Sequence, residues 1–183
     1  MTDQSAPQPM LAQPKPCGEC GLCCKVMATE ELDKPDGEWC PHFGKGRGCT
    51  IHASRPQSCR DYACIWTVAT ALDDSWRPDR AGFVIAPGLA DEIVLHVDAD
   101  DPGSWRREPY YSTIKRWTQV KADGFKLVLV RCDRKVTAVF QHVEIDLGPD
   151  QPDKVINAGY ASTFAGPKPF ARFVDRSQME TPS

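Results

Sequence analysis

Eight cysteines crowd into the stretch from Cys17 to Cys64. A chain that gathers so many thiols in so short a segment needs a chemical task for them, and that need limits the folds open to it. The ninth cysteine, Cys132, stands apart. An odd total does not suit a fully paired extracellular scaffold. The opening residues, MTDQSAPQPMLAQPKP, lack the basic stretch and apolar core of a secretory signal. The expected compartment is therefore the cytoplasm, where thiols stay reduced. Clustered reduced cysteines are chiefly ligands for soft metals. Metal binding is the first expectation.

Composition narrows the partners. Lys and Arg total 22 against 25 Asp and Glu, a net charge of −3. This near balance predicts no nucleic-acid partner and no polybasic attachment to a membrane. Apolar runs such as Leu127 to Val130 are far shorter than the roughly 20 residues of a membrane span. A protein partner is not indicated either way. What the sequence predicts as a partner is a metal ion or cluster.

Spacing says more about that partner. In Cys17-Gly18-Glu19-Cys20-Gly21-Leu22-Cys23-Cys24 two residues separate successive cysteines, which lets the backbone turn both sulfurs toward one centre. Gly18 and Gly21 ease that turn. A zinc knuckle needs only C-x2-C. Three cysteines in the register C-x2-C-x2-C match the opening of the bacterial iron–sulfur run, whose fourth ligand comes from elsewhere in the chain. Adjacent Cys23 and Cys24 cannot both bind one ion with good geometry, so they are expected to serve different centres. Cys40, Cys49, Cys59 and Cys64 complete the set. Eight thiols match two four-cysteine sites, or one site with further structural or bridging thiols. No second C-x2-C knuckle follows Cys24, and this favours at least one 4Fe-4S cluster over zinc alone. Zn2+ on the remaining thiols is compatible with it.

The same segment resembles the CxxCxxCC cysteine-cluster family, whose domain is described as zinc- or iron-chelating. The residues that carry the resemblance are Cys17, Cys20, Cys23, Cys24 and Cys40, then Cys49-Thr50-Ile51-His52, Arg55-Pro56-Gln57-Ser58-Cys59-Arg60-Asp61-Tyr62 and Cys64. They cover about a quarter of the chain. The family usually has an aromatic residue where this chain has His52, and often Phe where it has Tyr62. His52 is thereby a candidate nitrogen ligand. Some relatives are named flagellin lysine N-methylases, so the resemblance also implies side-chain methylation as an alternative. Nothing in residues 67–183 reads as a methyl-donor pocket.

Three parts are expected along the chain. Residues 1–16 carry Pro7, Pro9, Pro14 and Pro16 and read as a disordered tail. Residues 17–66 form the metal-binding segment, with a short helix from a Ser54 cap through Pro56 to Tyr62. Residues 67–183 read as the α+β remainder of the same unit. Strands are expected at 82–86 and 92–97 around a Pro87-Gly88 turn, and at 125–131 and 135–140 around a hairpin at 132–134. Residues 142–147 are expected to form another strand or to extend the one at 135–140. Tyr110, Ile114 and Trp117 recur at helical spacing, with Gly124 beyond the helix end. The fold class is thus α+β: a cysteine-rich metal-binding lobe packed on a small antiparallel sheet with one main helix. The chain from Gly166 onward is expected to be loop.

Other residues receive plainer readings. Arg55 and Arg60, set between ligands, are candidates to neutralise thiolates, whereas Lys34 and Lys45 read as solvated. His42, after Cys40-Pro41, is a weaker candidate ligand than His52, while His96 and His142 read as structural and Cys132 as a free thiol. Asp98, Asp100 and Asp101 lack the ligand ladder of a calcium loop and are expected to cap the following helix. The tryptophans are assigned to the core. The favoured function is a non-catalytic metal-binding protein with a structural or redox centre. The alternatives are an enzyme that modifies a protein side chain and a protein that stores or delivers metal.

Overall fold

The computed structural model describes residues 14–62, 64–89, 92–119 and 126–178. In chain order the elements are α1 (Cys23–Val26), β1 (Phe43–Gly44), β2 (Gly48–Cys49), α2 (Gln57–Asp61), α3 (Ile65–Val68) and α4 (Pro78–Ala81). There follow β3 (Phe83–Pro87), β4 (Ile93–Val97), α5 (Tyr110–Trp117), β5 (Val128–Cys132), β6 (Lys135–Val139), β7 (Glu144–Pro149), β8 (Val155–Thr163) and β9 (Gly166–Val174). The chain is α+β, and α5 is its longest described helix.

Valine-, leucine- and isoleucine-rich runs between turn signals build a five-stranded sheet in the order β3-β4-β5-β6-β7. The β5–β6 turn is set by Asp133 and Arg134, both left-handed at φ 49° and 59°, as a two-residue type I′ hairpin requires. The expectation of an antiparallel sheet needs correction, because β5 runs parallel to β4, with Val94 opposite Leu129 and Leu95 opposite Val130. The connection between these strands carries α5, and a crossover of that length lets the chain return in the same direction. The expected Phe125 start of β5 and the Gly124 helix stop lie outside the described residues.

Alternation along the strands divides the core into two faces. Phe83, Ile85, Leu95, Val97, Val128 and Val130 pack with Trp66, Trp76, Trp105 and Ile114 on the helical side. The Trp76 ring lies 4.9 Å from Tyr110 and 5.5 Å from Trp117. The opposite face of β4, β5 and β6 offers Val94, Leu129, Val136 and Ala138, which pack with Phe140 and Ile156. Ala158, Tyr160, Ala171 and Phe173 of the β8–β9 ribbon lie over this group.

That ribbon replaces the loop expected after Gly166. Its two strands pair from Val155 opposite Val174 to Thr163 opposite Gly166. Pro167 and Pro169 suggest a loop, yet prolines at alternate positions lose their donors on one edge only. The ladder on the other edge survives, as it does for proline on edge strands generally.

The cysteine segment docks on β3. Val84, fully buried, turns away from the helices to meet Cys20, Leu22 and Val26, with Cys23, Met27 and Tyr62 alongside. An ion pair supplements this small contact. Lys25 is buried, and its Nζ reaches Asp98 Oδ1 at 2.6 Å and also pairs with Asp100. The acidic loop is therefore an anchor for the cysteine segment rather than the expected helix cap. Asp101, the third member, accepts from Arg107 Nη2 at 2.7 Å.

The tail also differs from expectation at its end. Residues 1–13 lie outside the described residues, but Lys15 is pinned. Its N–H donates to Thr67 O at 2.7 Å, and its Nζ donates to Trp66 O, Ala69 O and Leu72 O, above the Trp66 ring.

Removing one partner of a buried pair strands the other charge, at a cost of about 3–5 kcal/mol. Asp98→Ala should thus destabilise the protein by roughly 3 kcal/mol, the low end of that range because Asp100 remains. Asp100 is 84% exposed, and Asp100→Ala should cost under about 1 kcal/mol. Urea denaturation of both variants checks this, and equal losses would deny Asp98 its anchoring role.

Candidate metal centre

All eight clustered cysteines, Cys17, Cys20, Cys23, Cys24, Cys40, Cys49, Cys59 and Cys64, line one cavity of about 730 Å3. None is in a disulfide, and Cys132 lies apart on β5 as a ninth free thiol. The thiols are spread along the cavity wall. Among the described residues, no group of three or more Cys, His, Asp or Glu side chains is gathered closely enough to hold a single ion.

Local backbone choices bring the thiols to that wall. Gly18 takes φ 57°, which turns the chain between Cys17 and Cys20 and leaves Cys17 Sγ 3.8 Å from Cys20 O. Cys23 and Cys24 open α1. The Cys40 N–H donates to Cys24 O at 2.8 Å, and the Phe43 N–H to Cys40 O at 2.9 Å. The β1–β2 hairpin then sets Cys49 opposite Phe43. Its Gly48, at φ 70°, has room for no side chain, since a Cβ there would stand 2.6 Å from Gly18 O. This close approach brings the hairpin against the Cys17–Cys20 turn.

Cys59 comes from α2 and Cys64 from the residue before α3. The helix expected from Ser54 begins later, after Pro56, because Ser54 belongs to a separate 3-10 turn, His52–Ser54. Glu31 holds the start of α2 instead, its carboxylate accepting from Ser58 N–H at 3.0 Å and from Ser58 Oγ at 2.6 Å. Ser58 keeps that carboxyl below its ordinary range.

Burial and mutual repulsion govern the thiols. Burial pushes Cys17 up, with Cys20, Cys64 and Cys24 adding to it and Arg55 opposing. Burial likewise raises Cys20 and Cys49, and for Cys49 the nearby Cys24, Cys40 and Cys59 add to the effect. The Cys23–Cys24 hydrogen bond raises Cys23 and lowers Cys24 to about 7; burial opposes the latter shift and Lys34 favours it. Tyr62 is held well above its ordinary range by burial, with Cys64, Cys23 and Cys17 nearby. Among the described residues its buried Oη finds no partner of proper hydrogen-bond geometry, and the Cys64 thiol beside it is a weak acceptor at best.

The cations are distributed differently from expectation. Lys34 is 5% exposed, not solvated. Its Nζ donates to Lys25 O at 3.1 Å, to Pro35 O at 2.8 Å and to Met27 O; burial pulls its pKa below the ordinary value, and Cys40, Cys24, Asp36 and Glu38 oppose that shift. Arg60 is exposed and donates from Nε to Arg55 O at 2.8 Å, so it braces a loop. Lys45 is exposed as expected. Sequence reasoning missed Lys34 because nothing in Asp33-Lys34-Pro35 marks a buried lysine; its place between Cys24 and Cys40 was the available hint.

The histidines follow suit. His52 reaches the cavity wall, but its Nε2 accepts from Arg55 Nη1 at 2.9 Å. His42 serves through its carbonyl, which accepts from Thr50 N–H and Oγ1, both at 2.9 Å. His96 lies within β4, where burial pulls its pKa down to about 4, and His142 is exposed between β6 and β7.

Comparison of the chain with family models, with curated proteins and with solved structures found no match in any of the three. Among the described residues no helix is long and apolar enough to cross a membrane.

Truncating Lys34 leaves three carbonyls without their shared donor. Lys34→Ala should destabilise the protein by about 3 kcal/mol, given about 1–3 kcal/mol for each polar group left unpaired in a buried site. Arg60→Gln should stay within about 0.5 kcal/mol, as surface changes do. Thermal unfolding of the two variants side by side tests this, and a neutral Lys34→Ala would contradict the buried role.

Proposed function

We propose that this chain is a metal-binding cysteine-cluster protein whose thiols hold one or two centres, at least one of them an iron–sulfur cluster, with a structural or redox role. One observation carries the reading. Eight cysteines from separate turns, helices and a hairpin wall the same cavity, and all are free thiols. Chance burial of cysteine as a small apolar side chain does not account for eight of them facing one space.

The donor set fits such a group. Soft thiolates select zinc and iron–sulfur centres. Around one zinc ion, at about 2.3 Å from each sulfur, four sulfurs draw within roughly 4 Å of each other. A cavity of about 730 Å3 has room for a larger, multi-iron unit. The C-x2-C-x2-C register beginning at Cys17 points the same way. The holders would be the eight cysteines. A bound four-iron cluster would supply one-electron chemistry, whereas zinc would act only as a template.

The remaining residues prepare the site. Lys34 supplies a buried positive charge toward Cys24 and Cys40, and Arg55 supplies one toward Cys17. Four thiolates around a dication or an oxidised four-iron cluster leave a net negative charge, which nearby cations offset.

Anaerobic purification with elemental analysis and an absorption spectrum tests the reading. A brown protein with about four irons per cluster and a broad band near roughly 400 nm is expected, since thiolate-to-iron charge transfer absorbs there and d10 zinc does not. Colourless protein holding zinc and no iron would remove the cluster from the account. Protein that takes up neither metal would remove metal binding altogether.

A further inference from the structure

We propose that the eight thiols divide into two four-cysteine centres that part between Cys23 and Cys24, with Cys17, Cys20, Cys23 and Cys64 in one and Cys24, Cys40, Cys49 and Cys59 in the other. The division rests on the metal-binding reading above and goes beyond it, because that reading holds equally for a single shared centre.

The parting follows from α1. Consecutive residues of a helix point about 100° apart, so Cys23 and Cys24 lead toward different stretches of the cavity wall and meet at the boundary, where their thiols hydrogen-bond to each other. Cys23 joins Cys20 and Tyr62 in the apolar group on Val84, the side nearest the sheet. Cys24 is bound by its carbonyl to the Cys40 N–H, on the side of the loop that leads into β1.

Each set is then closed by its own contacts. In the first, Cys17 and Cys20 share the Gly18 turn, with Cys17 Sγ 3.8 Å from Cys20 O. Cys64 is brought beside them from the far end of the segment. Its carbonyl accepts from Thr67 N–H at 2.9 Å and Thr67 Oγ1 at 2.7 Å, while Thr67 O accepts from Lys15 N–H at 2.7 Å, two residues before Cys17. Tyr62, between α2 and Cys64, packs against Cys20 and Cys23.

In the second set, Cys24, Cys40 and Cys49 are linked in series by the Cys40 N–H to Cys24 O bond, the Phe43 N–H to Cys40 O bond and the pairing of Phe43 with Cys49. Cys59 enters through Thr29, whose Oγ1 lies 3.8 Å from Cys59 Sγ and whose backbone bridges Lys34. Lys34 donates to Lys25 O, one residue past Cys24.

The electrostatics agree in outline. Cys40, Cys59 and Cys24 are the thiols that act on Cys49, while Cys64, Cys23 and Cys17 are those that act on Tyr62. The two sets abut: Cys24 acts on Cys17 and hydrogen-bonds with Cys23 across the boundary.

The test uses the full chain, reduced and anaerobic, with Zn2+ alone as probe. The protein is brought to half saturation and alkylated, one-zinc molecules are selected by native mass spectrometry, and labels are placed by fragmentation. The expected result is protection of one complete set per molecule, with Cys23 and Cys24 never protected together and Cys132 always labelled. Protection of Cys23 with Cys24, or of four thiols drawn from both sets, would overturn the division while leaving metal binding intact. No zinc-dependent protection at all would overturn both. A second measurement guards against scrambling. Cys64→Ser and Cys40→Ser should each retain half of the wild-type zinc, and loss of all zinc from both would identify a single shared centre.

Discussion

Thiols that share one cavity resist ionising together, because each thiolate raises the cost of the next and burial raises it further. That constraint shapes the segment around Cys17 to Cys64. Its own apolar filling is slight: Cys20, Leu22 and Val26, with Met27 and Tyr62 at the margin. What orders it comes partly from outside. Val84 supplies the one fully buried strand residue in that contact, and Asp98 with Asp100 holds Lys25. The sheet, by contrast, is filled on both faces, by tryptophan-bearing helices on one and by the β8–β9 ribbon on the other. Stability is thereby unequal along the chain, and the cysteine segment is the part with most to gain from a bound metal.

Much of this was legible in the residues and some was not. Strands β3 to β6 and helix α5 stood out because apolar runs, helical spacing and turn residues agreed with one another. The parallel step between β4 and β5 was also present in the order strand, helix, strand, but sheet direction depends on where a long connection lands, which local pattern does not encode. The β8–β9 ribbon was hidden by Pro167 and Pro169, whose tolerance depends on which edge of the strand lies open. The count and spacing of the eight thiols pointed to gathered ligands, whereas the structure spreads them along the wall of one cavity. The identity of the charges serving them was not legible. Arg60 sits between two cysteines in sequence yet points outward, while Lys34 folds inward because backbone carbonyls from Lys25, Met27 and Pro35 are waiting there.

A buried lysine satisfied by carbonyls also explains how the segment tolerates this charge. The ammonium is stabilised mainly by backbone dipoles, with the Asp36 and Glu38 carboxylates adding at longer range. Arg55 lines the cavity and engages His52.

The central claim is that a bound metal orders the cysteine segment while the sheet stands on its own core. Structural metal contributes about 10–16 kcal/mol of apparent binding energy in small sites, against about 5–15 kcal/mol of net stability for a whole domain. Hydrogen exchange on metal-loaded and chelator-treated protein compares the two parts directly. The account predicts loss of amide protection over residues 17–66 on chelation, with protection in β3 to β6 retained. Unchanged protection over residues 17–66 after the metal has been removed would contradict it.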